Sequence, residues 1–283
     1  MFGFLNIYKP KGITSHDVVS VLRRVTKIKQ IGHTGTLDPF AEGVLPICIG
    51  KATRLIEYLD EDKAYIATIK FGKSTTTYDL EGEVVKTSDI KVIKETLEKC
   101  LDNFRGEIEQ IPPIYSAIKV NGKKLYDYAR SGESVEIKSR RVTIFKLELL
   151  DFDEKSQTAE LLIECSKGTY IRSIANDLGE ILGAYGHLIK LVRTKAGSFN
   201  IETSVKLEDL TALEVVKNNL KYPLEYLNLP IYEVSESQKI DIGHGKALLI
   251  DANDGQVVFT NSEKIVAVAT VNNNVAKMNK VFI

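Results

Sequence analysis

The stretch Gly32-His33-Thr34-Gly35-Thr36-Leu37-Asp38-Pro39 packs two glycines, two hydroxyls, an imidazole and one carboxylate into eight residues. Glycine lets backbone approach a ligand closely or adopt positive φ. Asp38 precedes a proline, which biases it toward an extended or turn conformation, so its carboxylate belongs to a loop and not to a helix. Leu45, Ile47 and Ile49 follow with the alternation of a strand, one that would support the loop from beneath. By itself the octapeptide reads in two ways, as an active-site loop or as a plain Asp-Pro turn in a hairpin connection.

Working outward, residues 16–27 read as a helix. Ser15 is the expected N-cap, Asp17 suits the first turn, and Val18, Leu22 and Val25 share a face. Tyr65, Ala67, Ile69 and Phe71 alternate with Ile66, Thr68 and Lys70 as in a strand. Residues 91–104 read as a second helix and residues 171–182 as a third. Residues 142–150 and 159–166 read as strands. Strands outnumber helices and do not strictly alternate with them, which predicts an α+β protein with a largely antiparallel sheet. After about Leu227 the chain changes character. Leu229-Pro230 reads as a linker, and short strands are expected at 247–250, 256–259 and 265–271, separated by Asn253-Asp254-Gly255 and Asn272-Asn273-Asn274 turns.

The 283 residues suffice for one large domain with a small appendage. No apolar run approaches the roughly 18 residues of a membrane span, and the N-terminus does not read as a signal peptide, so a cytoplasmic protein is expected. Cys48, Cys100 and Cys165 are scattered, which predicts buried free thiols with no zinc site and no disulfide framework. The 38 Lys and Arg balance the 38 Asp and Glu. The balance is local nowhere. Lys9, Lys11, Arg23, Arg24, Lys27 and Lys29 precede the loop; Lys119, Lys123, Lys124, Arg130, Lys138, Arg140 and Arg141 cluster with Tyr115, Tyr126 and Tyr128. Basic runs mixed with aromatic residues suit RNA, whose phosphates need cations and whose splayed bases stack on rings.

Five ordered blocks carry a resemblance. Residues 32–45, GHTGTLDPFAEGVL, resemble the catalytic loop of the TruB family of pseudouridine synthases. Residues 6–15, NIYKPKGITS, resemble that family's N-terminal signature; 64–72, AYIATIKFG, its tyrosine strand; 110–130, QIPPIYSAIKVNGKKLYDYAR, its central segment; and 165–178, CSKGTYIRSIANDL, the segment bearing its arginine. The resemblance implies a mixed, largely antiparallel catalytic domain of the pseudouridine synthase type over 1–228. It also implies a small β-rich PUA-like RNA-binding domain over 229–283, where Ile242-Gly243-His244-Gly245-Lys246 is similar to the start of such a domain, though only about 55 residues remain for it. The implied activity is isomerisation of uridine-55 in the T-arm loop of tRNA to pseudouridine.

That reaction breaks the N1–C1′ bond, turns the base and joins C5 to C1′. Nothing is oxidised or hydrolysed, so no cofactor and no metal is expected. The resemblance assigns Asp38 as the essential aspartate, which either attacks C1′, attacks C6, or stabilises an oxocarbenium-like sugar. It assigns Arg172 as the cation pairing with Asp38, and Tyr65 as the tyrosine that stacks on the target base or serves in proton transfer. His33 is implied as the residue entering the T-loop when the target nucleotide leaves. Lys9 is implied to contact phosphate or brace the loop, Tyr170 to hydrogen-bond near the aspartate, and Leu191 and Arg193 to line the site and touch RNA. Lys123 and Lys124 belong to the basic, aromatic-rich cluster expected to bind RNA. Thr76 stands where many relatives carry an acidic residue, while Asp79 and Gly82 keep the family pattern; altered RNA contacts or loop bonding are expected there. The compact chain favours an enzyme that works without an obligatory protein partner.

Overall fold

The computed structural model describes residues 1–283. The chain opens with β1 (Gly3–Lys9) and α1 (Ser15–Thr26). Thr14, not Ser15, caps this helix: its hydroxyl accepts from the Asp17 N–H at 3.0 Å and Asp17 returns the bond to the Thr14 N–H at 2.8 Å. Ser15 is unavailable as a cap because its hydroxyl is already used. It donates to the Leu37 carbonyl at 3.0 Å and accepts from the Leu37 N–H at 2.8 Å, tying the helix to the Asp38 loop.

β2 (Ile31–His33), β3 (Glu42–Ile49) and β4 (Lys63–Phe71) follow, then a small hairpin of β5 (Lys73–Thr75) and β6 (Val84–Thr87). α2 (Lys94–Leu101) starts later than the sequence pattern suggested. The Gln157 side chain explains the delay: it accepts from the Val92 N–H at 2.7 Å and donates to the Val92 carbonyl at 3.1 Å, so those groups are withheld from the helix. Next come β7 (Gly106–Gln110), the short β8 (Lys119–Val120) and β9 (Lys123–Lys124), and α3 (Leu125–Ser131). The long pair β10 (Arg140–Asp153) and β11 (Thr158–Cys165) leads to α4 (Ile171–Ile181) and β12 (Gly186–Ala196). β13 (Phe199–Asn200), β14 (Val205–Lys206) and α5 (Leu213–Asn218) complete this part.

The first fourteen strands except β5, β6, β8 and β9 make one ten-stranded sheet in the order β14-β1-β3-β12-β4-β11-β10-β7, with β2 on β3 and β13 on β12. Its pairings are antiparallel apart from β1 with β14 and β3 with β12. The fold is therefore α+β with a mixed, largely antiparallel sheet, as expected. One face carries the main core: Tyr65, Ala67, Ile69 and Phe71 from β4 meet Val18 and Leu22 of α1, Leu97 of α2, and Ile174 and Leu178 of α4. α4 lies directly on the turn before β12, since a Cβ at Gly179 would stand 2.1 Å from the Gly186 nitrogen. That contact seats the C-terminal part of α4 on the sheet.

A second, five-stranded sheet is built from β15 (Ile231–Glu233), β16 (Leu248–Leu249), β17 (Gly255–Asn261), β18 (Lys264–Asn272) and β19 (Val275–Val281), with α6 (Glu236–Gly243) against it. The three expected strands are present; β15, β19 and α6 are additional. β19 reads weakly because VAKMNKV carries two lysines and an asparagine among its apolar residues. This sheet has its own core, and it also shares one with the main body: Val258, Ile265 and Val268 pack with Phe4, Val44, Cys48, Leu55 and Phe199. Polar ties reinforce the contact. The Ile265 N–H donates to the Tyr222 hydroxyl at 2.6 Å, and Arg54 donates to the Val281 carbonyl at 2.8 Å.

A truncation after Leu229 is therefore expected to destabilise what remains. It removes three buried aliphatic side chains worth about 1.5–3 kcal/mol each from a body held by about 5–15 kcal/mol. Thermal unfolding should show a markedly lower Tm and aggregation; an unchanged Tm would mean that the shared cluster contributes little. All three cysteines are buried, and burial raises their thiol pKa values, Cys48 to about 12, so none is poised as a thiolate. No helix is long and apolar enough to cross a membrane.

Candidate active site

β2 and β3 pair antiparallel, and the segment between them carries Asp38. β3 is buried on both faces, Leu45, Ile47 and Ile49 in the main core and Val44 and Cys48 in the shared one, so the loop springs from a rigid strand. Of the two uses a glycine can have in this loop, positive φ is not the one found. Neither Gly32 nor Gly35 adopts positive φ, and neither is closely approached by other protein atoms. The position that demands glycine is Gly43, at φ +111°, where a Cβ would stand 2.3 Å from the Arg193 carbonyl oxygen.

The loop is pinned along its length. Ser15 holds Leu37 from both sides. The Gly12 N–H donates to the Pro39 carbonyl at 2.8 Å. Lys9 is fully buried, and its ammonium donates to the carbonyls of Pro10 and Ile13 at 2.8 Å each and of Pro39 at 3.3 Å. Burial pulls the Lys9 pKa down to about 8, with Asp38 and Glu42 acting in the opposite direction. Arg193 is also buried and donates to the carbonyls of Val44 at 2.7 Å and of Thr36 and Gly35 at 3.2 Å each. Neither cation presents its charge at the surface, so of the two roles considered for Lys9 the geometry supports bracing. Leu191 is a core side chain.

Arg172, in the first turn of α4, reaches the loop from the opposite side. Its Nε lies 2.9 Å from Asp38 Oδ2, and Nη2 donates to Asp38 Oδ1 at 3.4 Å and to the Tyr115 carbonyl at 3.0 Å. Nη1 donates to Asp79 Oδ2 at 3.3 Å and to the Thr77 carbonyl at 3.2 Å. The two terminal nitrogens of the guanidinium thus make four hydrogen bonds, and Nε adds a close charge contact with Asp38. The Asp79 and Arg172 side chains are 4 % and 7 % exposed, while 33 % of Asp38's side chain remains open. Only Asp38 is thus both anchored and reachable. Burial raises the Asp38 pKa; Arg172 opposes this, Asp79 adds to it, and Arg193 and Lys9 oppose it.

Asp79 is a site residue that the sequence marks only as keeping the family pattern. It sits in a turn where its Oδ1 accepts from the Thr77 hydroxyl at 2.5 Å and from the Glu81 N–H at 3.0 Å. Thr76 takes part in the same turn, accepting from the Glu83 N–H at 3.2 Å. Gln110 opens the central segment, where the sequence assigns it no role. Its amide forms a reciprocal pair with Tyr170, accepting from the N–H at 2.8 Å and donating to the carbonyl at 3.0 Å, and so fixes the entry to α4.

Tyr65 lies on the core face of β4, and burial pushes its pKa up to about 12, so it remains a neutral phenol near neutral pH. Tyr170 precedes Arg172 at the α4 N-terminus, its pKa also raised by burial. His33 ends β2 with a buried Nδ1 that has no hydrogen-bond partner; burial lowers its pKa, favouring the neutral ring. Lys123 and Lys124 make up β9. Lys123 sits 4.6 Å from the Tyr128 ring centroid and pairs with Glu133 at 2.7 Å; Lys124 sits 5.2 Å from the Tyr126 ring.

The comparisons with known proteins bear on this arrangement directly. A profile described as TruB family pseudouridylate synthase (N terminal domain) matches residues 23–171, which span β2, the Asp38 loop, Tyr65 and Asp79. The chain belongs to the TruB family. A second TruB profile, tRNA pseudouridylate synthase B C-terminal domain, matches residues 172–233. TruB relatives named tRNA pseudouridine synthase B include one from Francisella philomiragia, 45 % identical over 94 % of this chain and 90 % of its own length. One from Staphylococcus aureus is 44 % identical over 95 % and 94 %, and one from Listeria welshimeri 49 % identical over 80 % and 76 %. The TruB chain also superposes on two solved structures. An H/ACA RNP bound to a substrate RNA containing 2'-deoxyuridine gives a TM-score of 0.74 at 23 % identity, covering 100 % of this chain and 85 % of that one. A Cbf5-Nop10-Gar1 complex gives 0.75 at 25 %, with the same coverage. The former supports the fold alone.

Proposed function

We propose that this TruB-family enzyme converts uridine-55 in the T-arm loop of tRNA to pseudouridine, acting in the cytoplasm without cofactor, metal or obligatory protein partner. The observation that carries the reading is the Asp38 carboxylate: part open on a loop pinned by Ser15, Lys9 and Arg193, and gripped through both oxygens by Arg172. The name shared by the relatives, tRNA pseudouridine synthase B, supports tRNA as substrate.

Asp38 is the nucleophile in this reading. Arg172 favours its ionised form and sets its direction. If Asp38 attacks C1′, the N1–C1′ bond breaks as the Asp38–C1′ bond forms, and C5 then displaces the carboxylate. If it attacks C6, the N1–C1′ bond breaks, C5 joins C1′ and the Asp38–C6 bond breaks last. By either route C5 gives its proton to solvent and N1 gains one. Tyr65, held as a phenol, stacks on or donates to the base. His33 fills the space left by the flipped nucleotide, and a neutral ring suits insertion into a base stack. The second sheet serves as a small PUA-like RNA-binding domain over 229–283, next to the catalytic domain over 1–228.

The test uses a T-arm stem-loop with tritium at C5 of its uridines. One equivalent of tritium should appear in water per stem-loop at constant RNA mass, and the yield should survive dialysis of the enzyme against a chelator. Release of free uracil, or no tritium release, would contradict isomerisation.

Lys123 and Lys124 are proposed to contact tRNA phosphates. Reversing both to Glu should weaken binding and flatten the slope of log K against log salt by about one to two units, since each phosphate contact contributes slightly less than one. An unchanged slope would make this cluster an ordinary solvated surface.

A further inference from the structure

We propose that Arg193 is a positioning residue that holds the catalytic loop in shape from inside the protein and makes no contact with RNA. The inference deepens the function proposed above and rests on it.

An arginine in an RNA-modifying enzyme is first suspected of binding phosphate. Arg193 is 1 % exposed, and its guanidinium is committed to the carbonyls of Gly35, Thr36 and Val44. Those acceptors lie on both sides of Asp38: the chain leaves the pair of strands at Gly35 and Thr36 and is back on β3 by Val44. One planar fork therefore closes both ends of the segment that carries the nucleophile.

The backbone of the same residue continues the clamp. Arg193 pairs with Gly43 of β3 on one side and Tyr65 of β4 on the other, and Gly43 has no Cβ to keep the strands apart. Arg193 thus relates two groups of the site: its side chain holds the Asp38 loop, and its backbone pairs with Tyr65. A lysine cannot reproduce this, because its ammonium is a point charge on a flexible stem and lacks the fixed fork. Misplacing a reacting group by about 1 Å costs roughly 10²-fold in rate, so the loop is where rigidity matters most.

The test compares full-length wild type, Arg193→Lys and Arg193→Gln on unmodified tRNA transcript, reading kcat, KM, the salt slope of binding and Tm. For Arg193→Gln we expect kcat to fall by roughly 10²-fold with KM and the salt slope unchanged, and for Arg193→Lys a smaller fall. A raised KM with intact kcat and a slope flatter by about one unit would overturn the proposal and make Arg193 a phosphate contact. If neither variant folds, phenylglyoxal modification of the wild type decides. Arg193 should stay unmodified with and without tRNA, and labelling that tRNA blocks would overturn the proposal. Wild type that forms no pseudouridine would sink the functional reading instead, and the phenylglyoxal result would still report on Arg193.

Discussion

Asp38→Asn is expected to lower pseudouridine formation by about 10⁴-fold or more while tRNA affinity stays close to that of wild type. The amide is isosteric, so the loop, pinned by Ser15, Lys9 and Arg193, has no steric reason to move. What is lost is the nucleophile and its charge. The side-chain amide also turns one donor toward the Arg172 fork, which can only donate, so the grip on residue 38 weakens further. Single-turnover kinetics with excess enzyme separate this loss from any change in binding. Turnover above about a tenth of wild type would remove Asp38 from its assigned role.

Arg172→Met is expected to be the most damaging change that leaves every carboxylate in place. It deletes five donors at once and strands Asp79, which is almost fully buried, beside Asp38. Removing one partner of a buried ion pair costs about 3–5 kcal/mol, so Tm should fall clearly. The rate should fall by on the order of 10²–10³-fold, as when a preorganised donor is removed from a reacting site. The pH dependence gives the sign. Asp38 acts ionised, and burial already raises its pKa, with Asp79 adding to the rise and Arg172, Arg193 and Lys9 opposing it. Removing the Arg172 charge raises the pKa further, so the acid limb of the single-turnover profile should move to higher pH and part of the lost rate should return on the alkaline side. An acid limb that stays in place would show that Arg172 does not govern the ionisation of Asp38.

The features legible in the sequence were those set by neighbours along the chain. The Asp38-Pro39 loop, the β3 alternation of Leu45, Ile47 and Ile49, and the apolar faces of α1 and α4 follow from local pattern, and the structure contains them. Long-range partnerships were not legible. Asp79 meets Arg172 across 93 positions, and Gln110 meets Tyr170 across 60, and no spacing rule connects such pairs. Charge misled in a specific way. Lys9 stands in a basic run with phosphate contact or bracing as its implied roles, and Arg193 is implied to touch RNA; both are buried, each satisfied by three backbone carbonyls that composition cannot anticipate. Ser15 was read as a cap from its place before the helix, and its real partner, Leu37, lies 22 positions away. Positive φ with close backbone approach falls at Gly43, where β12 meets β3, and neither Gly32 nor Gly35 has positive φ.

The most direct measurement is incubation of the protein with an unmodified tRNA transcript, followed by carbodiimide treatment and primer extension across the whole molecule. The account predicts one new stop, at position 55 in the T-arm loop, present with wild type and absent with Asp38→Asn. A pseudouridine map with no stop at 55, or with an equal stop in the Asp38→Asn reaction, would contradict it.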